Sequence, residues 1–358
     1  MNPIRSIMVA TGSCIPEQKI YNADFLQQNF LDTNGTPITG NNARIINKFK
    51  EITGIEERRY ARNDQKASDL ATIAALDALD SGNIDKETLD YIIVAHNFGD
   101  VSFGSNRIDL VPSLASRVKY QLKIQNPNCV AYDLAFGCPG WVQGVIQADY
   151  YIRSGDAKRC LVIGTETLSR VIDKYDRDSM IYADGSGAVI LESSLEGNGK
   201  GVVSHLSKTY ASEHAMLLTM DKSYNPQWDE GDIFIKMNGR RLYEFALTYV
   251  PLLIKELLDK AGMHITDVNK VLIHQANEKM DHAILERLFK LYEVDDFSKE
   301  VMPMTISWLG NSSVASIPTL LDIMQKGRFV DQQIKPGDKI LFASVGAGMN
   351  INALIYQY

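Results

Sequence analysis

A chain of 358 residues with 45% hydrophobic content carries enough apolar side chain for a large buried core, and its formal charge of -7 speaks against a general nucleic-acid binder. Its four cysteines, at 14, 129, 138 and 160, have neither metal-ligand spacing nor the density of a secreted disulfide scaffold. No apolar run approaches the ~18 residues of a membrane span, and the N-terminal stretch Ile4 to Ala10 lacks the flanks of a signal peptide, so the expectation is a cytoplasmic protein.

In chain order, a first strand at Ile4 to Thr11 runs into a polar, turn-rich stretch from Asn29 to Asn47, read as a surface loop or small excursion. An amphipathic helix follows from Ser68 to about Ser81, with Leu70, Ile73, Ala74 and Leu76 as its apolar positions and Ser68 as its cap. The buried strand Tyr91 to Ala95 opens into a second long loop, Asn97 to Val111, of the kind that forms lids or pocket walls, and Phe103 is its candidate wall residue. Next, the run from Ala131 to Gly140 delivers Cys138 to the start of a helix spanning Trp141 to Tyr151, with Pro139 at the first helical position. Free N–H groups and partial positive charge at a helix start lower a thiol's pKa, which makes Cys138 the candidate nucleophile. Asp184-Gly-Ser-Gly187 reads as a turn between halves.

The pattern then recurs at an offset of about 180 residues. Helix Leu242 to Lys260 leads to strand Val271 to His274 as helix Ser68 to Ser81 led to Ile92 to Ala95. Gly155-Asp156 opening a strand is echoed by Gly337-Asp338, and Phe136-Gly-Cys138 by Leu309-Gly-Asn311. Two duplicated α/β halves are expected, 1–195 with the cysteine and 196–358 with His274 and Asn311. Pseudo-twofold packing would bring the equivalent helix starts and strand ends into one cleft. Taken singly, His274 reads as a core histidine before a catalytic one, Asn311 equally as a helix cap, and Gly346-Ala-Gly348 as a tight turn or an oxyanion-binding one.

Five motifs taken together resemble one family: Gly137-Cys-Pro-Gly140, Ile273-His-Gln-Ala-Asn277, Gly310-Asn-Ser-Ser-Val-Ala-Ser-Ile-Pro318, Tyr182-Ala-Asp-Gly-Ser-Gly-Ala188 and Thr53-Gly-Ile-Glu-Glu-Arg-Arg59. In this order they are similar to the β-ketoacyl-acyl-carrier-protein synthase III family of the thiolase superfamily. The resemblance implies a duplicated five-layer αβαβα fold, a homodimer, Cys138 as acyl acceptor, and His274 with Asn311 as the decarboxylation pair. It further implies an oxyanion hole from the backbone of Cys138 and the Gly346–Gly348 turn, and substrate contacts from Arg177, Asn277 and Lys279. Two departures from the family pattern stand out. Lys48-Phe49 lies where a tryptophan stacks on the CoA adenine, and Val111 replaces the phenylalanine that crosses the dimer to bound the acyl pocket.

The implied reaction is a decarboxylating Claisen condensation of an acyl thioester with a malonyl thioester. No metal or redox cofactor is expected, because CoA or a carrier-protein phosphopantetheine arrives with the substrates. The altered CoA end and long loops also fit a specialised ketosynthase joining longer acyl units, as in dialkylresorcinol or aryl-polyene pathways. A Cys-His-Asn hydrolase lacks support, since its nucleophile has a different local signature, and a silent acyl-binding protein would not need all three polar residues.

Overall fold

The computed structural model describes residues 4–196, 199–228 and 231–358. Two mixed sheets frame it. The first comprises β1 (Arg5–Cys14), β2 (Tyr91–His96), β3 (Val130–Ala135), β4 (Arg159–Thr167) and β5 (Asp184–Ser194), in the order β1-β5-β4-β2-β3. The second comprises β6 (Gly201–Thr209), β7 (Lys270–Ile273), β8 (Lys339–Gly346) and β9 (Asn350–Gln357), in the order β6-β9-β8-β7. Strand β5 pairs antiparallel with β1 and β4, and β4 pairs parallel with β2; β9, β6, β8 and β7 repeat this pattern one for one. Tyr91 lies opposite Cys160 in the first half and Lys270 opposite Ile340 in the second, so the two halves share topology as well as sequence rhythm.

The longer helices are α1 (Asn42–Thr53), α2 (Ala67–Gly82), α3 (Leu114–Gln121), α4 (Gly140–Ser154), α5 (Gly239–Lys260), α6 (Glu278–Lys290) and α7 (Ser316–Gln325). Helices α4 and α7 lie between the sheets. Their Trp141, Val145, Ile146, Leu320 and Leu321 share one apolar core with Ile93 and Val162 of the first sheet and with Leu272 and Phe342 of the second. Outside, α2 and α3 cover the first sheet, and α5 and α6 cover the second. This is the expected five-layer αβαβα stack. The buried middle explains why α7 is apolar almost all round, since a helix with a sheet on each side has no solvent face.

Local reasons correct several sequence expectations. Asn29 to Asn47 is only partly a loop: Asn41 caps a helix by accepting the N–H of Ala43 (2.7 Å), so α1 starts at Asn42 and ends at Gly54, whose φ of 75° suits the left-handed cap. Ser68 is not the cap of α2. Lys66 is, with the Asp69 carboxylate accepting its N–H (2.9 Å), while Ser68 lies inside the helix and donates to buried Asp100. Nor do Ile73 and Leu76 form the buried stripe. They are exposed, and Leu70, Ala71, Ala74, Ala75 and Ala78 face inward, because a Cβ on Gly12 would stand 2.3 Å from the Ala74 carbonyl and only small side chains fit so close to β1.

Within Asn97–Val111 the segments Asp100–Val101 and Ile108–Asp109 form a small hairpin, which Arg117 clamps by donating to Asp100 (2.7 Å) and Asp109 (2.7 Å). Asp184–Gly187 is no turn. It opens the buried strand β5, and its small residues let α7 approach: a Cβ on Gly187 would lie 2.5 Å from the Thr319 nitrogen. Gly187→Ala is therefore expected to lower stability by about 1–3 kcal/mol, the usual cost of overpacking a tight core. A urea titration checks it, and the expected signature is a lower midpoint with an unchanged slope.

Candidate active site

The chain termini of the matched elements meet in one narrow cavity of about 40 Å³, lined by Cys138, His274 and Asn311 together with apolar Leu168, Leu218, Ile235, Leu242 and Met280. Each polar residue arrives by a different route. Cys138 follows β3 in the turn before α4, whose N-cap is Pro139 and whose first helical residue is Gly140, so the proline stands one position earlier than expected. His274 is the residue after β7, its N–H bonded to the Ala343 carbonyl (2.9 Å) of the neighbouring strand. Asn311 precedes α7, and its backbone is stitched to the other half by Asn311 N–H to Ile181 (3.0 Å) and Ala183 N–H to Asn311 (2.8 Å). The pseudo-twofold arrangement thus joins residues 138, 274 and 311 in space.

Burial dominates the electrostatics. The Cys138 thiol is pushed up to about 11 by desolvation, with the Ser313 hydroxyl pulling it down and the Glu166 charge pushing it further up. The lowering expected from the helix start is thus opposed by a larger force. The Ser313 hydroxyl donates to Cys138 Sγ at 3.1 Å. Burial also lowers His274 to about 4, against a smaller opposing pull from Ser313, so the imidazole is neutral near pH 7. Its Nδ1 shares a hydrogen bond of 2.9 Å with Ser316 Oγ. Asn311 Oδ1 accepts the N–H of Ser313 (2.8 Å), which leaves its Nδ2 group without a hydrogen-bond partner among the described residues.

Backbone packing builds the opposite wall. A Cβ on Gly346 would lie 2.8 Å from the Cys138 nitrogen, and one on Gly137 would lie 3.2 Å from the Ala347 nitrogen, so the 346–348 turn presses directly on the cysteine's turn. Gly348 has φ of 124°, a conformation natural to glycine, and Asn350 braces the turn by donating to the Ala347 carbonyl (2.6 Å). The N–H of Cys138 makes no backbone–backbone bond among the described residues, so it is available to an oxyanion.

The other sequence candidates are spread out. Arg177 is largely exposed and lines a separate, larger cleft of about 910 Å³ with Asp32, Asp176, Asp178, Lys236 and Arg240. Asn277 caps α6 by accepting the Met280 N–H (3.0 Å), and Lys279 is exposed in the next turn. Phe103 and Val111 do not line the cavity: Phe103 lies under the Arg170 guanidinium (4.9 Å), and Val111 is 86% exposed. Sequence reading missed Asn97, Glu166, Ser313 and Tyr182. Glu166 carried a signal, since it is a lone carboxylate closing the apolar run Leu161 to Thr167.

A duplicated α/β frame with a partly buried cysteine and a buried histidine and asparagine at its central cleft defines a thiolase-fold condensing enzyme. The family pattern for 3-oxoacyl-[acyl-carrier-protein] synthase III matches residues 132–210, and the pattern for its C-terminal part matches 258–358. The chain is 32% identical to β-ketoacyl-[acyl-carrier-protein] synthase III of Prochlorococcus marinus, covering 98% of this chain and 95% of that protein. To the enzyme of the same name from Neisseria meningitidis it is 31% identical, covering 97% and 98%. The solved synthase III structure from Thermus thermophilus superposes with a TM-score of 0.79 at 30% identity, covering 98% of each chain. The chain belongs to the β-ketoacyl-acyl-carrier-protein synthase III family, and it is an acyltransferase of that type.

Proposed function

We propose that the protein condenses a short acyl thioester with a malonyl thioester through an acyl group held on Cys138. The observation that carries this reading is the cavity in which Cys138, His274 and Asn311 converge among apolar side chains. In the first half-reaction the Cys138 thiolate attacks the acyl thioester carbonyl. The N–H of Cys138 and the backbone of the Gly346–Gly348 turn hold the oxyanion, and the donor's thiol leaves with the proton released from Cys138. In the second, the carboxylate–carbon bond of the malonyl thioester breaks, CO2 departs, and its electron pair becomes an enolate. In the tautomer with its proton on Nε2, His274 accepts from Ser316 at Nδ1 and offers Nε2–H to the enolate oxygen, beside Asn311 Nδ2–H. The enolate carbon then attacks the acyl-cysteine, and the Cys138 thiolate leaves. CoA or phosphopantetheine enters as part of the substrate, and neither step calls on a resident metal or redox group.

A cavity of about 40 Å³ favours a short acyl group over the longer units of a specialised ketosynthase. A homodimer is supported by the free outer edge of β3 and by exposed apolar side chains around it, Leu110, Val111, Tyr120 and Val130. The outer cleft bears on the donor. Its Lys236 is paired with Asp173 (2.6 Å) and Asp176 (3.2 Å), Arg240 with Glu244 (3.1 Å), and Arg177 lies 3.9 Å from Asp178. Cations already matched by carboxylates have little left for a nucleotide phosphate, and the adenine platform is replaced near Lys48, which is exposed. Losing one aromatic stack costs CoA on the order of tenfold in affinity or less. A carrier protein loses nothing there, and its acidic surface can meet Lys279, Arg241 and Arg287.

Mass spectrometry of the protein after exposure to acyl groups of increasing length, each presented on CoA and on a carrier protein, tests the reading. The expected adduct is a short acyl group on Cys138, formed faster from the carrier protein, with the preference shrinking as salt rises. Equal rates or faster transfer from CoA would remove the donor preference. Retention of long acyl groups in place of short ones would point to the specialised ketosynthase.

A further inference from the structure

Behind the cysteine lies a line of hydrogen bonds that the condensation steps leave unused. The buried carboxyl of Glu166, in β4, accepts the backbone N–H of Asn97 at 2.6 Å and also a proton of the Asn97 side-chain amide. The second proton of that amide goes to Ser313 Oγ at 2.8 Å. Because Ser313 Oγ accepts there, its own proton is free to point elsewhere, and the atom facing it is Cys138 Sγ at 3.1 Å. The four residues come from four segments of the chain, so their alignment depends on the whole fold.

The backbone supports the same aim. Ser313 has φ of 52°, a left-handed conformation that a side-chain-bearing residue adopts at a cost and that persists where surroundings enforce it. Here the enforcing contact is the Asn311 side chain, which accepts the Ser313 N–H at 2.8 Å. Three neighbours thus fix the serine: Asn311 holds its backbone, Asn97 its oxygen and Cys138 its proton.

We propose that Ser313 is a catalytic hydrogen-bond donor to the Cys138 thiolate, and that Asn97, clamped by Glu166, is the positioning residue that sets the direction of that bond. The proposal rests on the reading of Cys138 as the acylated nucleophile. A donor at Sγ serves both half-reactions, since the sulfur is a thiolate when it attacks the first thioester and again when it leaves the condensation product. Stabilising it offsets part of the desolvation that the apolar cavity imposes.

The titratable groups facing the sulfur are Glu166 from β4, His274 after β7 and the Tyr182 phenol before β5, and among the described residues no lysine or arginine lines the cavity. Ser313 is therefore the donor that takes the place a cation holds beside other reactive thiolates. Burial raises the Glu166 carboxyl to about 8, so it is mostly protonated near pH 7, and at the higher pH where the thiol titrates its charge pushes the thiol up.

The test is the rate of alkylation by iodoacetamide as a function of pH, with the whole protein and no substrate. Cys138→Ala supplies the background from Cys14, Cys129 and Cys160, which are buried. Ser313→Ala and Asn97→Ala are expected to move the titration up by about one pH unit, roughly tenfold less thiolate at any pH on its lower limb. Ser313→Thr keeps a hydroxyl and should follow the wild-type curve, whereas Glu166→Gln keeps a carbonyl acceptor but removes the charge that raises the thiol, so its curve should move down and not up. Should Ser313→Ala fail to fold by circular dichroism, Asn97→Ala and Asn97→Ser carry the comparison, Ser being too short to span the gap. An unshifted Ser313→Ala curve overturns the donor. A shifted Ser313→Ala curve beside an unshifted Asn97→Ala curve overturns the positioning role. A Ser313→Thr curve displaced as far as that of Ser313→Ala would assign the effect to packing and overturn the proposal. Alkylation reads the thiol without any acyl donor, so failure here is separate from failure to find an acyl adduct on Cys138.

Discussion

Cys138→Ala is expected to abolish the covalent acyl adduct completely while leaving the fold intact. The side chain lies in a turn before α4 and not within the packed middle of the sheets, so losing its sulfur removes few contacts. No other group is placed to replace it. Cys14, Cys129 and Cys160 are buried and none of them lines the cavity. Ser313 is within reach of the same cavity, yet its hydroxyl is occupied by Asn97 and would lack a base, since burial keeps His274 at about 4. Intact-mass measurement of the variant after incubation with the acyl thioester that labels the wild type checks this. An adduct of equal yield on the alanine variant would move the nucleophile elsewhere and dismiss the proposed mechanism.

The duplication was legible because it is carried by local pattern: apolar strands, the turns before them and the helices between repeat at a constant offset, and each half folds by the same rules. Cys138, His274 and Asn311 were legible for the same reason, as they stand at ends of repeated elements, where side chains leave the core. What the sequence hid was set by approach in three dimensions. Ser68 looks like a cap, and only the fold shows that Asp100 occupies it. Ile73 and Leu76 look buried by period, yet the closeness of β1 at Gly12 leaves room for alanines alone. Asp184–Gly187 has turn-like composition because a helix packs on it, which requires the same small residues that a turn does. The Glu166–Asn97–Ser313 line joins residues as far apart as 216 positions and has no local signature. The helix-start argument for Cys138 leads to a lowered thiol pKa, and the structure raises it instead, because that argument took no account of burial, which is a property of the assembled cavity.

His274→Ala and Asn311→Ala are expected to split the two half-reactions. Neither side chain touches the sulfur's partner Ser313 in a way that the first transfer needs: His274 bonds Ser316, and Asn311 steadies the Ser313 backbone through its Oδ1. Acylation of Cys138 should therefore survive in both variants, somewhat slowed in Asn311→Ala as the left-handed Ser313 loses its anchor. Decarboxylation is a different matter. The charge that develops as CO2 leaves sits on one oxygen in an apolar cavity, where a lost hydrogen-bond donor is not replaced by water, and removing one such donor costs of order 10²-fold or more in rate. A neutral imidazole is suited to the task, because it donates without adding a charge that would have to be neutralised on product release. With the histidine held at about 4 by burial, the condensation rate should be insensitive to its titration near neutrality. The measurement is CO2 release from malonyl thioester alongside adduct formation on Cys138. Acylation lost together with decarboxylation in both variants would show that the two residues act on the first step, and the division of labour drawn from the cavity would have to be abandoned.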